Sequence, residues 1–325
     1  MSPRVSVLMT AYNREAFIAD AIESVMAQTF TDFELIIVDD CSSDRTVDIA
    51  RSYAAKDKRI RVEVNEQNLG QFANRNYAAS LARGEFLKFH DSDDLLYPHC
   101  LQITIPLLAA YPTAAFSLSP GAKDWTGGPY PMLLTPRMSY QREFLGMGLF
   151  HVGPACTTFR ADAFQRLGGY PCKGVPSDTL FLISACMREN ILLVPGGVYW
   201  YRCHPGQELV SEKAELEYFH AQREVWRALN SPNCPLEKSE LEQARKNWSW
   251  LRGKEILTDV SHGRFRKALL RLTCSGISVR EWIRYFRRQV RDVQAGTPRA
   301  DNGGFIIPDW SVFSEEHPPS RNAQL

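Results

Sequence analysis

Apolar positions along the first hundred residues switch repeatedly between two spacings. Val5 to Met9 is a short, β-branched apolar run, the pattern of a buried parallel strand. From Arg14 to Gln28 the apolar side chains fall at Phe17, Ile18, Ala21, Ile22, Val25 and Met26, which is one face of a helix. Leu35 to Val38 predicts a second buried strand, ending in Asp39-Asp40. Ser43-Asp44 then caps a helix carrying Val47, Ala50 and Tyr53 or Ala54. Ile60 to Val64 reads as a third strand, and Gln71 to Ala82 as a helix stopped by Gly84. Glu85 to Phe89 is a fourth strand, running into His90-Asp91-Ser92-Asp93-Asp94. Alternation of this kind predicts an α/β fold with a mainly parallel sheet flanked by helices.

In such sheets ligands bind beyond the carboxyl ends of the strands. The polar clusters fall there: Thr10 to Arg14 after the first strand, Asp39 to Ser43 after the second, Asn65 to Gly70 after the third, and Asp91 to Asp94 after the fourth. Four polar loops on one edge carry more weight than any of them alone.

The second half is less regular. Residues 111–150 are rich in Pro and Gly, which predicts a long irregular excursion, a flap over the site. Regular structure resumes near Ala155 to Arg160, followed by a helix from Asp178 to Glu189 and strands at Ile191 to Val194 and Tyr199 to Arg202. Past Gly206 the chain becomes charged and Trp-rich, with helices expected at 212–230, 236–259, 262–273 and 278–293. The expected organisation is an α/β domain over 1–205, a helical region over 206–295 and a flexible tail over 296–325.

Composition narrows the picture in a few respects. Of 325 residues 44% are hydrophobic, enough for a sizeable core. The net charge of +1 gives no whole-chain pull toward nucleic acid, and no such partner is expected. The 8 cysteines form no CxxC or zinc-type cluster, which fits reduced thiols in a cytoplasmic setting. The apolar stretch at the start is too short for a signal peptide, and no run of apolar residues is long enough to predict a transmembrane helix.

Candidate chemistry sits in the strand-end loops. Asp91 and Asp93, spaced i, i+2 at a strand end, suit a hard divalent cation, which takes one or two carboxylates plus substrate phosphate oxygens. The competing reading is a helix start, with Ser92 and an aspartate capping at Leu95-Leu96. Asp40 is placed to accept a hydrogen bond from a base or ribose; Asp44 or Ser43 reads as a cap. Gly70, after Asn68, permits a positive φ or a close backbone approach, and Arg75 follows on a helix. Asp178, at a helix start after Gly174-Val175-Pro176, is either an N-cap or a general base. His204 is either structural or a contact to a diphosphate or metal.

Taken in order, several motifs match one family. They are Val5 to Asn13, Gln28 to Asp44 (containing Val38-Asp39-Asp40-Cys41-Ser42-Ser43-Asp44), Asn68-Leu69-Gly70, and Ala82-Arg83-Gly84-Glu85-Phe86 leading to Asp91 to Asp94. The chain resembles the family 2 glycosyltransferases of GT-A (Rossmann-like) fold, strongly over about residues 4–98 and more weakly through Gly168-Gly169-Tyr170, Asp178 and His204. The resemblance implies inverting transfer of a sugar from a nucleoside-diphosphate donor, UDP foremost, to a hydroxyl acceptor, in surface polysaccharide or glycoconjugate synthesis. It implies a nucleotide-sugar site of Thr10, Ala11, Tyr12, Arg14, Asp40, Asn68, Gly70, Arg75, Asp91 and Ser92. It further implies Mn²⁺ or Mg²⁺ at Asp93, Asp91 and His204, and Asp178 as catalytic base. One departure stands out: Ser177-Asp178 occupies the place of the family's usual Glu-Asp.

Two rival readings remain at this stage. A sugar-nucleotide nucleotidyltransferase shares the sheet but needs a Gly-rich basic loop after the first strand, and Thr10 to Arg14 contains no glycine. A non-catalytic sugar-nucleotide-binding or scaffold protein is suggested by the missing glutamate. The helix at 278–293 carries Val279, Trp282, Ile283, Phe286 and Val290 on one face with arginines around it. It reads either as packed on the domain or as a peripheral membrane contact at the inner face of the membrane.

Overall fold

A computed structural model of the chain describes residues 2–119, 129–146, 148–204, 207 and 212–283. Its centre is four parallel strands, β1 (Val5–Ala11), β2 (Phe33–Asp39), β3 (Ile60–Val64) and β4 (Phe86–Asp91), in the order β3-β2-β1-β4. Helices cover both faces of this sheet, so both alternations of β1 and β2 have to be apolar. Met9 and Ile37 pack on one side with α1 (Ile18–Met26), α2 (Thr46–Ala54) and α4 (Cys100–Ala110). Leu8 and Ile36 pack on the other with α3 (Gln71–Ser80), α6 (Ala161–Arg166) and α7 (Ser177–Cys186).

The sheet continues past β4 through β8 (Thr157–Arg160), β6 (Ala114–Leu118), β9 (Asn190–Leu193) and β7 (Met132–Leu134), making eight strands. β8 runs antiparallel to its neighbours β4 and β6, and β7 antiparallel to β9. The expected flap at 111–150 is therefore corrected. It contains the fully buried interior strand β6, the strand β7 and the helix α5 (Pro136–Leu145); residues 120–128 and 147 lie outside the described residues. The prolines punctuate regular elements. Pro136 opens α5 beside its cap Thr135, and Pro112 lies in the turn between α4 and β6.

A second correction concerns Leu95-Leu96. These residues start no helix; they form the two-residue strand β5 (Leu95–Leu96), paired antiparallel with β10 (Tyr199–Trp200). This ribbon brings the segment after Trp200 back over the end of β4.

The C-terminal helices α8 (Glu212–Leu229), α9 (Lys238–Ser261) and α10 (Phe265–Cys274) follow. Val225, Trp226, Leu229 and Trp248 join Phe144, Phe159 and Phe181 in one continuous apolar cluster, so α8 and α9 share the core of the sheet. Of the helix expected at 278–293 only 278–283 is described, and its apolar face divides. Trp282 packs beside Gly253 of α9, while Val279 and Ile283 are exposed. The tail expected at 296–325 lies outside the described residues. No helix among the described residues is long and apolar enough to cross a membrane.

The frame is tied beneath the sheet by one buried acid. Glu34 accepts the Ser6 hydroxyl at 2.7 Å and the Arg83 backbone N–H and Nε at 3.0 Å each. Burial works to raise its pKa, but Arg83 and Ser6 outweigh it and hold the carboxyl below the usual range. Gly84 then crosses β1 so closely that a Cβ would stand 2.5 Å from Ser6 N and 2.8 Å from Val5 C. Both are backbone atoms and cannot swing aside. Gly84→Ala is expected to lower stability by about 1–3 kcal/mol, read as a shifted urea midpoint at unchanged slope; an unchanged midpoint would show that the crossing has room.

Candidate active site

The loops after β1 and β2 are bound to each other. The Asn13 N–H donates to Ser42 Oγ at 2.8 Å, the Ser43 N–H to Asn13 Oδ1 at 2.9 Å, and the Arg14 N–H to Thr46 Oγ1 at 2.7 Å. Asn13 and Cys41 both take positive φ, which turns the two loops toward each other. Asp39 accepts the Ser42 N–H and hydroxyl. Asp40 is buried, and both of its oxygens are engaged. Oδ1 accepts Asn65 Nδ2 and the Leu69 N–H at 2.8 Å each, and Oδ2 accepts the Gly70 N–H at 2.9 Å. Gly70, at φ 87°, makes that approach possible.

The end of β4 presents three carboxylates in four residues, each neutralised differently. Asp91 Oδ1 meets Arg75 Nη2 at 2.5 Å, and that guanidinium lies 5.1 Å over the Phe72 ring. Asp93 Oδ2 receives two partners, Arg14 Nε and His204 Nε2, both at 3.0 Å. Burial pushes the Asp93 pKa up, yet the His204 hydrogen bond and the Arg14 charge leave it lowered. Asp94 accepts the Arg202 N–H at 3.0 Å, and burial together with the charge of Asp91 pushes its carboxyl up to about 8. His204 itself packs against Phe17, with ring centroids 4.5 Å apart and the rings tilted by 37°.

Asp178 stands in the first turn of α7, partly exposed, with its Oδ1 accepting the Thr179 N–H at 2.6 Å. Burial raises its pKa to about 6 against the Thr179 N–H and the charge of Arg75, with Asp91 adding to the rise. Arg75 therefore acts electrostatically on both Asp91 and Asp178. Ser177, where a glutamate was expected, is buried; its hydroxyl donates to Gly174 O at 2.6 Å and accepts the Lys173 N–H at 3.0 Å, closing the turn before α7.

The profile of glycosyl transferase family 2 matches residues 6–168, half of the chain. The chain belongs to that family. It is similar to a protein named provisionally as the teichuronic acid biosynthesis glycosyltransferase TuaG of Bacillus subtilis (strain 168), 45% identical over 92 residues, 28% of this chain and 36% of that one. Matches to the first curated relatives span only 14% to 38% of those relatives' lengths. Among solved structures, S. aureus TarS 1-349 in complex with UDP-GlcNAc is 23% identical with a TM-score of 0.61, over 75% of this chain and 70% of that one. The mannosyltransferase PcManGT of Pyrobaculum calidifontis, in complex with GDP-Man and Mn²⁺, is 17% identical with a TM-score of 0.58, over 91% and 88%. These likenesses establish the GT-A fold.

In this family 2 glycosyltransferase the expected site residues separate into groups. Tyr12, Arg14, Asn68, Gly70, Arg75, Asp91, Asp93, Asp178 and His204 do surround one edge of the sheet, and Thr10 is partly exposed beside them. Three of the expected residues present little free side-chain surface. The Ala11 side chain is buried in the core, so it offers only backbone, and Ala11 O already accepts the Asp40 N–H at 2.8 Å. Ser92 is buried, with little surface to offer a ligand; it lies in the turn closed by the Asp94 N–H on Asp91 O at 3.1 Å. Asp40, with both oxygens engaged, acts first as the anchor of the Asn68 to Gly70 loop. His90, which precedes the acidic run, is also fully buried, and burial lowers its pKa to about 4.

Arg202 is the residue that sequence reasoning missed. Its Nε donates to Asp93 O at 2.9 Å and its Nη2 to Asp20 at 3.0 Å, and it lies over the rings of Phe17 and Trp200. It holds the acidic turn in place from behind. The available signal was its position two residues before His204, on a strand already identified.

Asp93 Oδ2 and His204 Nε2 form an oxygen–nitrogen pair that could hold Mn²⁺; Mg²⁺, which prefers oxygen, would rest on the carboxylates. Among the described residues no three His, Cys, Asp or Glu side chains gather as a ready cage, so phosphate oxygens and water would complete the shell.

The raised Asp94 pKa has a consequence for stability. A carboxyl that titrates near 8 when folded and near 4 when unfolded contributes fully below about pH 4 and loses that contribution as pH rises through about 8. Asp94→Asn keeps the acceptor for Arg202 N–H without an ionisable proton. Its stability relative to the parent chain is expected to increase from pH 5 to pH 8 in urea titrations. A constant difference would mean that Asp94 is ionised in the folded protein.

Proposed function

We propose that this chain is an inverting transferase that moves a sugar from a nucleoside-diphosphate donor, UDP-linked by first expectation, to a hydroxyl acceptor, in the synthesis of a surface polysaccharide or glycoconjugate. The observation that carries this reading is the pairing of two neighbouring centres. Asp93 stands with His204 and Arg14, and Asp91 stands with Arg75 within electrostatic reach of Asp178. The first centre suits a diphosphate and its cation; the second suits proton removal. The polysaccharide assignment is supported by the relative named for teichuronic acid biosynthesis, and the donor class by neighbours bound to UDP-GlcNAc and GDP-Man.

Exposed Tyr12 and the Asn68 to Gly70 loop would flank the base and ribose. A divalent cation held by Asp93 and His204, with Asp91 beside it, would supply charge neutralisation of the departing diphosphate. Arg14 adds a fixed positive charge on the same side. Asp178 accepts the proton of the acceptor hydroxyl, which then attacks the anomeric carbon on the face opposite the diphosphate and inverts it. Arg75 keeps Asp178 more acidic than burial alone would leave it, so the base is ionised at neutral pH.

Two measurements test this. The rate of transfer is expected to rise with pH through about 6 and then level off, as Asp178 ionises. Asp178→Asn should lower it by about 10²–10⁴-fold while leaving donor binding intact. Donor binding without turnover across a broad acceptor panel would instead favour a sugar-nucleotide-binding scaffold. In thermal-shift titrations with UDP-, GDP- and dTDP-sugars, Asp93→Ala should lose the part of the stabilisation that depends on Mn²⁺; an unchanged shift would remove Asp93 from the metal site.

A further inference from the structure

Away from the donor cleft, large apolar side chains are exposed together at the hairpin of α9 and α10. Phe265 is 67% exposed and Leu269 61%, one turn apart on α10; Leu257 is 50% exposed and Val260 42%, at the end of α9. The hairpin is not loosely packed. Asp259 accepts Arg264 Nε at 2.8 Å and Arg271 Nε at 2.7 Å, and Glu255 accepts Arg271 Nη1 at 2.8 Å. Arg271 also lies 4.6 Å over the Phe219 ring of α8. The apolar side chains thus stand on a braced surface.

The exposed charge around them is predominantly basic. Lys254, Arg264, Arg266 and Arg280 are exposed, whereas Glu255 and Asp259 are turned onto Arg252, Arg264 and Arg271, and Glu281 caps Ser278 at the surface. An apolar patch ringed by exposed cations matches the two components of an anionic lipid surface, acyl chains and headgroups. A second copy of this chain fits less well, since a two-fold interface would set one basic rim against another. The hairpin is tied to the rest of the domain through α8: Lys267 of α10 pairs with Glu215 of α8, and Glu217, two residues on, accepts the Val175 N–H at 2.7 Å.

We propose that the α9–α10 hairpin docks on an anionic lipid surface, with Phe265 and Leu269 entering the interface and Lys254 and Arg266 meeting headgroups. This places the contact on the hairpin itself, apart from the helix expected at 278–293, and it is independent of the glycosyltransferase reading because its test uses no sugar donor. The full chain is sedimented with vesicles of phosphatidylcholine alone and with added phosphatidylglycerol, at low and high salt. Binding is expected only with phosphatidylglycerol, weakening as salt rises. The double variant Phe265→Glu/Leu269→Glu should lose about tenfold or more in affinity. Arg266→Glu, a single change at an exposed side chain, should weaken binding in the same direction with an unaltered melting temperature. Absence of binding to anionic vesicles, or equal binding by both variants and the parent chain, overturns the proposal. So does concentration-dependent dimerisation that the double variant abolishes, which would make the face an interface between copies.

Discussion

Carboxylates withdrawn from water at the end of a sheet need a counterpart, since an unpartnered buried charge costs several kcal/mol. The arrangement of the cleft follows from how each one is satisfied. Asp39 and Asp40 use backbone and side-chain donors of the loops that follow, which fixes those loops. Asp91 uses a guanidinium held against Phe72, and Asp93 shares an oxygen between Arg14 and His204. Asp94, buried and beside the charge of Asp91, has its carboxyl pushed well above the usual range and accepts the Arg202 N–H. One chemical type thus has three fates. Loop anchoring, ion pairing and neutral support are assigned by environment.

The ribbon of β5 and β10 makes this possible at Asp93. Two residue pairs, Leu95 with Trp200 and Leu96 with Tyr199, return a distant part of the chain to the end of β4. Arg202 and His204 then reach opposite sides of the acidic turn, one through its backbone carbonyl and the other through the Asp93 carboxylate. The replacement of the usual glutamate by Ser177 has a local account as well. The serine hydroxyl closes the Gly174 to Ser177 turn, so the start of α7 is secured by a neutral side chain while Asp178 remains available.

The first four strands, their helices and the row of polar loops were legible because β1, β2 and β4 are short, mainly apolar runs bounded by polar residues, while the edge strand β3 alternates apolar and charged positions. The interior strand β6 was not, since Ala114 to Leu118 carries small and polar residues among prolines and glycines, and its burial depends on partners far along the chain. Leu95 and Leu96 looked like the start of a helix because a two-residue strand has no period; only pairing with Tyr199 and Trp200 defines it. Within the site, residue type pointed to Asp91, Asp93, Asp178 and His204. It could not tell that Asp40 would be consumed by a loop, that Ser92 would face inward, or that Arg202 would brace the turn. Those outcomes depend on side-chain direction, which spacing alone does not give.

The close crossing at Gly84 separates what can vary in this protein from what cannot. The crossing, Glu34 and Arg83 form a closed frame in which an added methyl group meets backbone. The rim of the cleft is the reverse: the side chains of Tyr12 and Leu69 project into solvent while their backbones hold the loops. Exchanges at exposed side chains typically move stability by less than about 0.5 kcal/mol. Such a scaffold can change the shape and chemistry of its cleft rim by drift, without first accumulating a reserve of stability to survive the change.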